Sequence, residues 1–157
     1  MNEVKNNSAL TTSFNESLKK MLSNKMTKSE IDSYIQERSK IIDSIDAKID
    51  LKMLGFDGRI KCEPTDSEYP YEYNHRIYGI GIIDLKCEGL LTTGYAHWSG
   101  LWSNTTSVAV TSADIEIGVV LAVFFREDGA PIGDFRGVPV GSIGAIAAGG
   151  EGGWKKK

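Results

Sequence analysis

Apolar positions along the chain fall into two periods. From Leu10 to Met26 they recur three and four residues apart, as Leu10, Phe14, Leu18, Met21, Leu22 and Met26, which draws one stripe along a helix. Thr27-Lys28-Ser29-Glu30 then matches the Thr-x-x-Glu capping box that starts a new helix. A second stripe follows through Ile31, Tyr34, Ile35, Ile41, Ile42, Ile45 and Ile49, interrupted for one turn at Arg38. After Phe56 the period becomes two. Ile115, Ile117, Val119, Leu121, Val123 and Phe125 alternate strictly, which predicts a strand with Leu121, Val123 and Phe125 turned inside. Asp128-Gly129 marks a hairpin turn, with a return strand over about Ile132–Val138. Further strands are predicted over Arg59–Glu63, Arg76–Glu88, Leu90–Ala96, Ser107–Thr111 and Val140–Ala147.

Glycine and proline sharpen this division. The first 54 residues contain neither, and all 17 glycines and four prolines come afterwards. Helix interiors exclude both residues, whereas turns and bulges require them. The chain is therefore expected to form an amphipathic helical arm, 1–54, and a β domain, 55–157. A protease-sensitive joint is expected between about Leu51 and Asp66. Short links between the strands imply a mainly β, antiparallel barrel or sandwich of about seven or eight strands. Glycines within the strands favour a closed barrel, where coiling and close backbone approach are needed. The slim Gly141–Gly150 run suits a closing strand, and Trp154 could plug one end of the barrel.

Charge narrows the function classes. The net charge is −3, with nine Lys/Arg against eight Asp/Glu in the arm and nine against thirteen in the body. An acidic folded body speaks against nucleic-acid binding, which needs a basic face to displace counterions. No stretch approaches the ~18 apolar residues of a membrane helix. No signal peptide is visible at the N-terminus. The expectation is a cytoplasmic chain, one whose leader has been removed, or one exported by a signal-independent route.

Candidate chemistry is sparse. His75 and His97 lack metal-ligand spacing, and no Gly-x-Ser-x-Gly elbow occurs. Cys62 and Cys87, each in a Lys-Cys-Glu context, read as half-buried strand residues, with a cross-strand disulfide as the alternative. A Cys87/His97 nucleophile pair has only its residue types in its favour. The Gly141–Gly150 run lacks the ending of a phosphate loop, and the sequons at Asn6, Asn15 and Asn104 are expected by chance. The tyrosines of Glu68–Tyr73 look like a tether. The expectation is no catalytic residue, no metal and no cofactor. Apolar contact surfaces remain as candidates. One is the aromatic loop of Tyr95, Trp98 and Trp102, which either faces a target or lids the barrel. The other is the arm stripe of Ile31, Ile35, Ile42 and Ile45, suited to docking or self-association.

From Gly89 to Trp154 the chain resembles the virulence-associated (Vap) proteins of intracellular actinobacterial pathogens. The resemblance rests on Leu121-Ala-Val-Phe124-Phe125, Asp128-Gly129, Ile132-Gly133, and a Gly-rich strand from Gly141 to Gly150 that finishes at Trp154. It implies an eight-stranded antiparallel Greek-key barrel behind a variable N-terminal segment. It also implies a secreted, non-enzymatic role in survival inside host cells, by contact with a host protein or membrane surface. The alternative reading is a calycin-like carrier, which would need an empty interior of about 300 Å³ or more.

Overall fold

The computed structural model describes residues 15–23, 25–38, 44–112, 119–139 and 146–157. Two helices come first, α1 (15–22) and α2 (Lys28–Arg38). They are followed by β1 (Ser44–Pro64), β2 (Tyr71–Thr93), α3 (Trp98–Asn104), β3 (Ser107–Ser112), β4 (Val120–Phe125), β5 (Pro131–Gly137), β6 (Ile146–Glu151) and β7 (Lys155–Lys156). The fold is mainly β, and every strand pairing is antiparallel. The strand order is β1-β2-β5-β4-β3-β6; β2 pairs with β6 as well, and β7 adds to the start of β2.

The predicted capping box is present. The Thr27 N–H donates to Glu30 Oε1 at 3.0 Å, and the Glu30 N–H donates to Thr27 Oγ1 at 3.2 Å. The helical arm ends earlier than expected, however. Helix α2 stops at Arg38, and Ser44–Leu54 is the first half of β1. The spacing that misled is four residues: Ile41, Ile45 and Ile49 fit a helix stripe and equally one face of a strand. The period of two shows in Ile45, Ala47, Ile49, Leu51 and Met53, which all turn toward the main core. The boundary expected after Leu54 thus falls inside β1, and so does the joint expected between Leu51 and Asp66 as far as Pro64. Ile42, Ile115, Ile117 and residues 140–145 lie outside the described residues.

Gly55 marks a bulge instead. It faces Gly81 and carries φ +85°, a left-handed conformation that glycine adopts without strain, while Asp57 faces Tyr78. The one-residue slip reverses the faces of β1. Odd-numbered Ala47 to Met53 are buried before it, and even-numbered Ile60 and Cys62 after it. Strand β2 keeps one parity throughout, burying Tyr73, Ile77, Ile83, Cys87 and Leu91. Gly79 is another position where glycine is required, because a Cβ there would collide with the Ala147 carbonyl of β6.

All six residues of β4 are buried, and they serve two cores. Val120, Ala122 and Phe124 join the main core. Leu121, Val123 and Phe125 point to the opposite face of the sheet, where Leu18, Leu22 and Ile31 of the helices cover them with Ala109. Over Val120–Phe125 the expected alternation of faces is present, but the inside differs: Leu121, Val123 and Phe125, expected within the barrel, form a second core beneath the helices. The Tyr34 hydroxyl adds a polar tie from α2, donating to Asp134 Oδ2 on β5 at 3.1 Å.

Truncating this second core should detach the helices. Leu121→Ala is expected to cost about 2–5 kcal/mol, typical of a buried leucine. The check is urea unfolding, and an unchanged midpoint would contradict this placement.

Candidate contact surface

The aromatic loop folds into a lid. Its residues form α3, a helix where the sequence suggested irregular chain, and the Trp102 ring stacks on Tyr71 with centroids 5.0 Å apart and 9° between planes. Trp102 also meets Trp98 at 5.6 Å and Trp154 at 4.8 Å, and Trp154 lies 5.0 Å from Phe124. Trp98 and Tyr95 are half-buried, and the Tyr95 ring fills the space beside Gly100. The tyrosines expected to form a tether belong to this cluster. Tyr69 packs on Trp98 at 5.9 Å, and Tyr73 is fully buried against Phe124 at 5.2 Å.

The arm stripe is likewise occupied. Ile31 is buried and Ile35 half-buried in the second core, whereas Ile45 packs on the main core from β1. The structure therefore gathers Tyr95, Trp98 and Trp102 in one place and Ile31 and Ile35 in another, with Ile45 apart from both.

The cysteines and histidines lie apart from one another in role and burial. Cys62 and Cys87 are free and buried, and burial raises both thiols, Cys87 to about 11. His97 is exposed at the head of α3, while Cys87 lies in the core, so the two do not form a pair. The His75 ring bonds to the Gly153 carbonyl through Nε2 at 2.8 Å. Among the described residues, no group of three His, Cys, Asp or Glu could hold a metal ion. No helix among them is long and apolar enough to cross a membrane.

A different surface stands out. Along the outward face of the β1–β2 hairpin, Asp46, Lys48, Asp50 and Lys52 alternate with buried residues, facing Asp84, Lys86 and Glu88 on β2. At the bulge this charged face turns apolar: Leu54 (74% exposed), Phe56 (75%), Tyr78 (57%), Ile80 (70%) and Ile82 (76%). Leu54 lies directly opposite Ile82. The face turns polar again at the Arg76–Asp57 pair, 3.7 Å apart, and at Arg59, whose Nε donates to Asn74 Oδ1 at 2.7 Å. With large apolar side chains offering roughly 200 Å² each, the five residues present on the order of 700 Å². Monomers rarely expose more than ~300–600 Å² in one patch.

This surface flanks the bulge. Leu54 and Phe56 keep the outward parity of Lys48 and Lys52 on one strand, while Tyr78, Ile80 and Ile82 point outward on the next. The signal in the sequence was Ile80-Gly81-Ile82-Ile83, with too many large apolar residues for a strand that buries one face.

No protein-family model matches the chain, and no curated protein is similar to it in sequence. Solved structures are similar. The virulence-associated protein VapD from the intracellular pathogen Rhodococcus equi superposes with a TM-score of 0.62 at 18% identity, over 72% of this chain and 97% of that one. VapB from the same organism gives 0.60 at 16% identity, over 73% and 98%.

The exposed positions should tolerate charge. Ile80→Asp and Ile82→Asp are expected to shift stability by no more than about 0.5 kcal/mol each, as at other surface sites. Ile83→Asp, one residue along and buried, should abolish cooperative unfolding. Thermal melts of the three variants check this, and comparable losses in all three would mean that the apolar face is covered. At these identities the likeness to VapD and VapB establishes a shared fold, as the residues from Gly89 to Trp154 led one to expect.

Proposed function

We propose that this chain is a virulence-associated protein of the Vap type, delivered to a host and acting without catalysis, by contact through its bare apolar face. The observation that carries the reading is the cluster of Leu54, Phe56, Tyr78, Ile80 and Ile82, each more than half exposed on a sheet that otherwise alternates properly. The fold shared with two proteins described as virulence-associated supports the setting. A host protein suits the surface better than an anionic membrane. Its rim mixes Lys52, Arg59 and Arg76 with Asp57 and Asp84, whereas membrane surfaces favour a distinctly basic border.

The scaffold belongs to the same proposal: a closed, eight-stranded Greek-key barrel. Its support lies in the long hairpin. The second edge of β2 takes β6 at residues 78–81 and β5 at residues 89–93, so pairings run from β2 through β5, β4, β3 and β6 back to β2. The ends of β1 also meet, with the Thr65 N–H donating to the Asp46 carbonyl at 3.0 Å and Lys48 3.4 Å from Glu63. Counting β1 and β2 as two strands each, with β3, β4, β5 and β6, gives eight; the two-residue β7 pairs only with the start of β2. The interior holds Tyr73, Phe124, Phe135 and Trp154, which speaks against the carrier reading. The larger clefts lie outside it. One of about 480 Å³ runs between α2 and the β4–β5 turn, and one of about 840 Å³ lies beside β6.

The seam carries a pH dependence. Bonding to the Lys157 ammonium, with help from Lys48, holds the Glu63 carboxyl below its usual range. A depressed carboxylate stabilises fully above its unfolded pKa of about 4.3 and loses that contribution as pH falls through the folded value. Glu63→Gln should therefore lower the melting temperature at pH 7 and flatten its fall on acidification. Parallel melting curves for variant and wild type would contradict the role given to this pair.

The functional test is intracellular survival. A bacterial strain lacking the gene should be rescued in host phagocytes by the wild-type chain and not by the Ile80→Asp/Ile82→Asp variant produced at equal level. Full rescue by the variant would overturn the assignment of contact to this face.

A further inference from the structure

We propose that the bare apolar face seats an amphipathic helix of a partner protein, with the acidic end of that helix lying over Lys25, Arg59 and Arg76. The proposal rests on the contact reading above and names the kind of partner.

The sheet already shows how its outer surface takes helices. Two cross-strand rows run outward from the region that α1 and α2 cover. One passes from Leu121 through Thr111 and Ala147 to Ile80, and the other from Val123 through Ala109 and Gly149 to Tyr78. Each row begins at a large apolar residue beneath the chain's own helices and ends at a large apolar residue that is bare among the described residues. Between them, β3 and β6 contribute only Thr111, Ala109, Ala147 and Gly149. The result is a trough floored by small residues, with the docked helices on one side and Tyr78, Ile80 and Ile82 on the other.

The dimensions suit a helix. Neighbouring strands are about 4.8 Å apart, so two strands of small residues make a floor about 10 Å wide. Packed helices lie about 8–10 Å from one another. A third helix would thus sit one helix-width beyond the docked helices, burying its stripe against Ile80, Ile82 and Leu54. The same surface would be continuous with the contact that those helices already make.

Charge fixes the orientation. At one end of the trough lies the cleft of about 840 Å³, lined by Lys25, Arg59, Asn74, Arg76, Tyr78 and Glu151 among others. Three of these six are cations and one is an acid, on a protein whose net charge is −3; Arg76 shares its charge with Asp57, 3.7 Å away, and Lys25 and Arg59 complete the cationic side. Lys25 stands 4.3 Å over the Phe125 ring at the rim of the second core, facing into the cleft. A helix C-terminus carries partial negative charge and is favoured beside cations, more so with glutamates in its last turn.

The test uses the full chain and a synthetic amphipathic peptide of about five turns, fluorescently labelled, with leucines on one face and glutamates in the last turn. A second peptide carries lysines in that turn. Fluorescence anisotropy should show the glutamate peptide binding at least about tenfold more tightly than the lysine peptide. Ile80→Asp/Ile82→Asp and Arg59→Glu/Arg76→Glu should each weaken binding by a similar factor, with melting temperatures unchanged. No binding, or affinity indifferent to either pair of substitutions, overturns the proposal. So does sedimentation of the wild type as a dimer that Ile80→Asp/Ile82→Asp returns to monomer, because the occupant is then a second copy. Binding that appears only after residues 1–14 are deleted assigns the seat to the chain's own N-terminal segment. Association with anionic vesicles but with neither peptide assigns it to a membrane, and both outcomes also overturn the proposal. A variant that loses intracellular survival while the wild type binds no helix would leave the contact reading standing and remove this one.

Discussion

Val120–Phe125 carries apolar side chains on both faces, and each face closes a different core. Val120, Ala122 and Phe124 complete the interior with Tyr73 and Trp154, while Leu121, Val123 and Phe125 hold down α1 and α2. A strand so constrained cannot slip: a shift of one residue would exchange the two sets and leave both cores mismatched. Its neighbours inherit that register. Ala109 on β3 is fixed beneath the helices because it lies opposite Val123, and Gly149 on β6 is fixed in turn opposite Ala109.

The bulge at Gly55 is the second constraint. Without it, β1 would keep one parity along all 21 residues and Ile60 and Cys62 would point outward. The slip turns them in and completes the main core. Leu54 and Phe56, just before the slip, keep the outward parity of Lys48 and Lys52 and lie beside Tyr78, Ile80 and Ile82. The exposed apolar face is thus set by which residues occupy these outward positions, and at Lys48, Lys52, Asp84 and Lys86 the same face is polar.

Much of this was legible in the sequence, for identifiable reasons. The capping box at Thr27–Glu30, the Asp128-Gly129 turn and the alternation through Leu121 are local signals, and each appears where its chemistry requires. The start of β1 was not legible, because isoleucines spaced by four satisfy a helix and a strand alike and the segment holds no glycine or proline to decide. Which face of β4 turned inward was hidden as well, since both faces are apolar and only the position of the helices distinguishes them. The aromatic residues 95, 98 and 102 carried a true signal of clustering, but exposure depends on Tyr71 and Trp154, distant in sequence and close in space. The contact face was missed because its residues come from two strands, 54–56 and 78–82, whose pairing and common outward side only the fold reveals.

Among the described residues the outer surface is divided, covered over β4 and bare over the β1–β2 bend. Solvent paramagnetic relaxation of isoleucine methyl groups reads that division directly in the free protein. With a soluble nitroxide, the account predicts strong broadening for Ile80 and Ile82 and protection for Ile31, Ile49, Ile60, Ile77 and Ile83. Protection of Ile80 and Ile82 to the level of Ile31 would contradict it, because the face assigned to a partner would then be already closed.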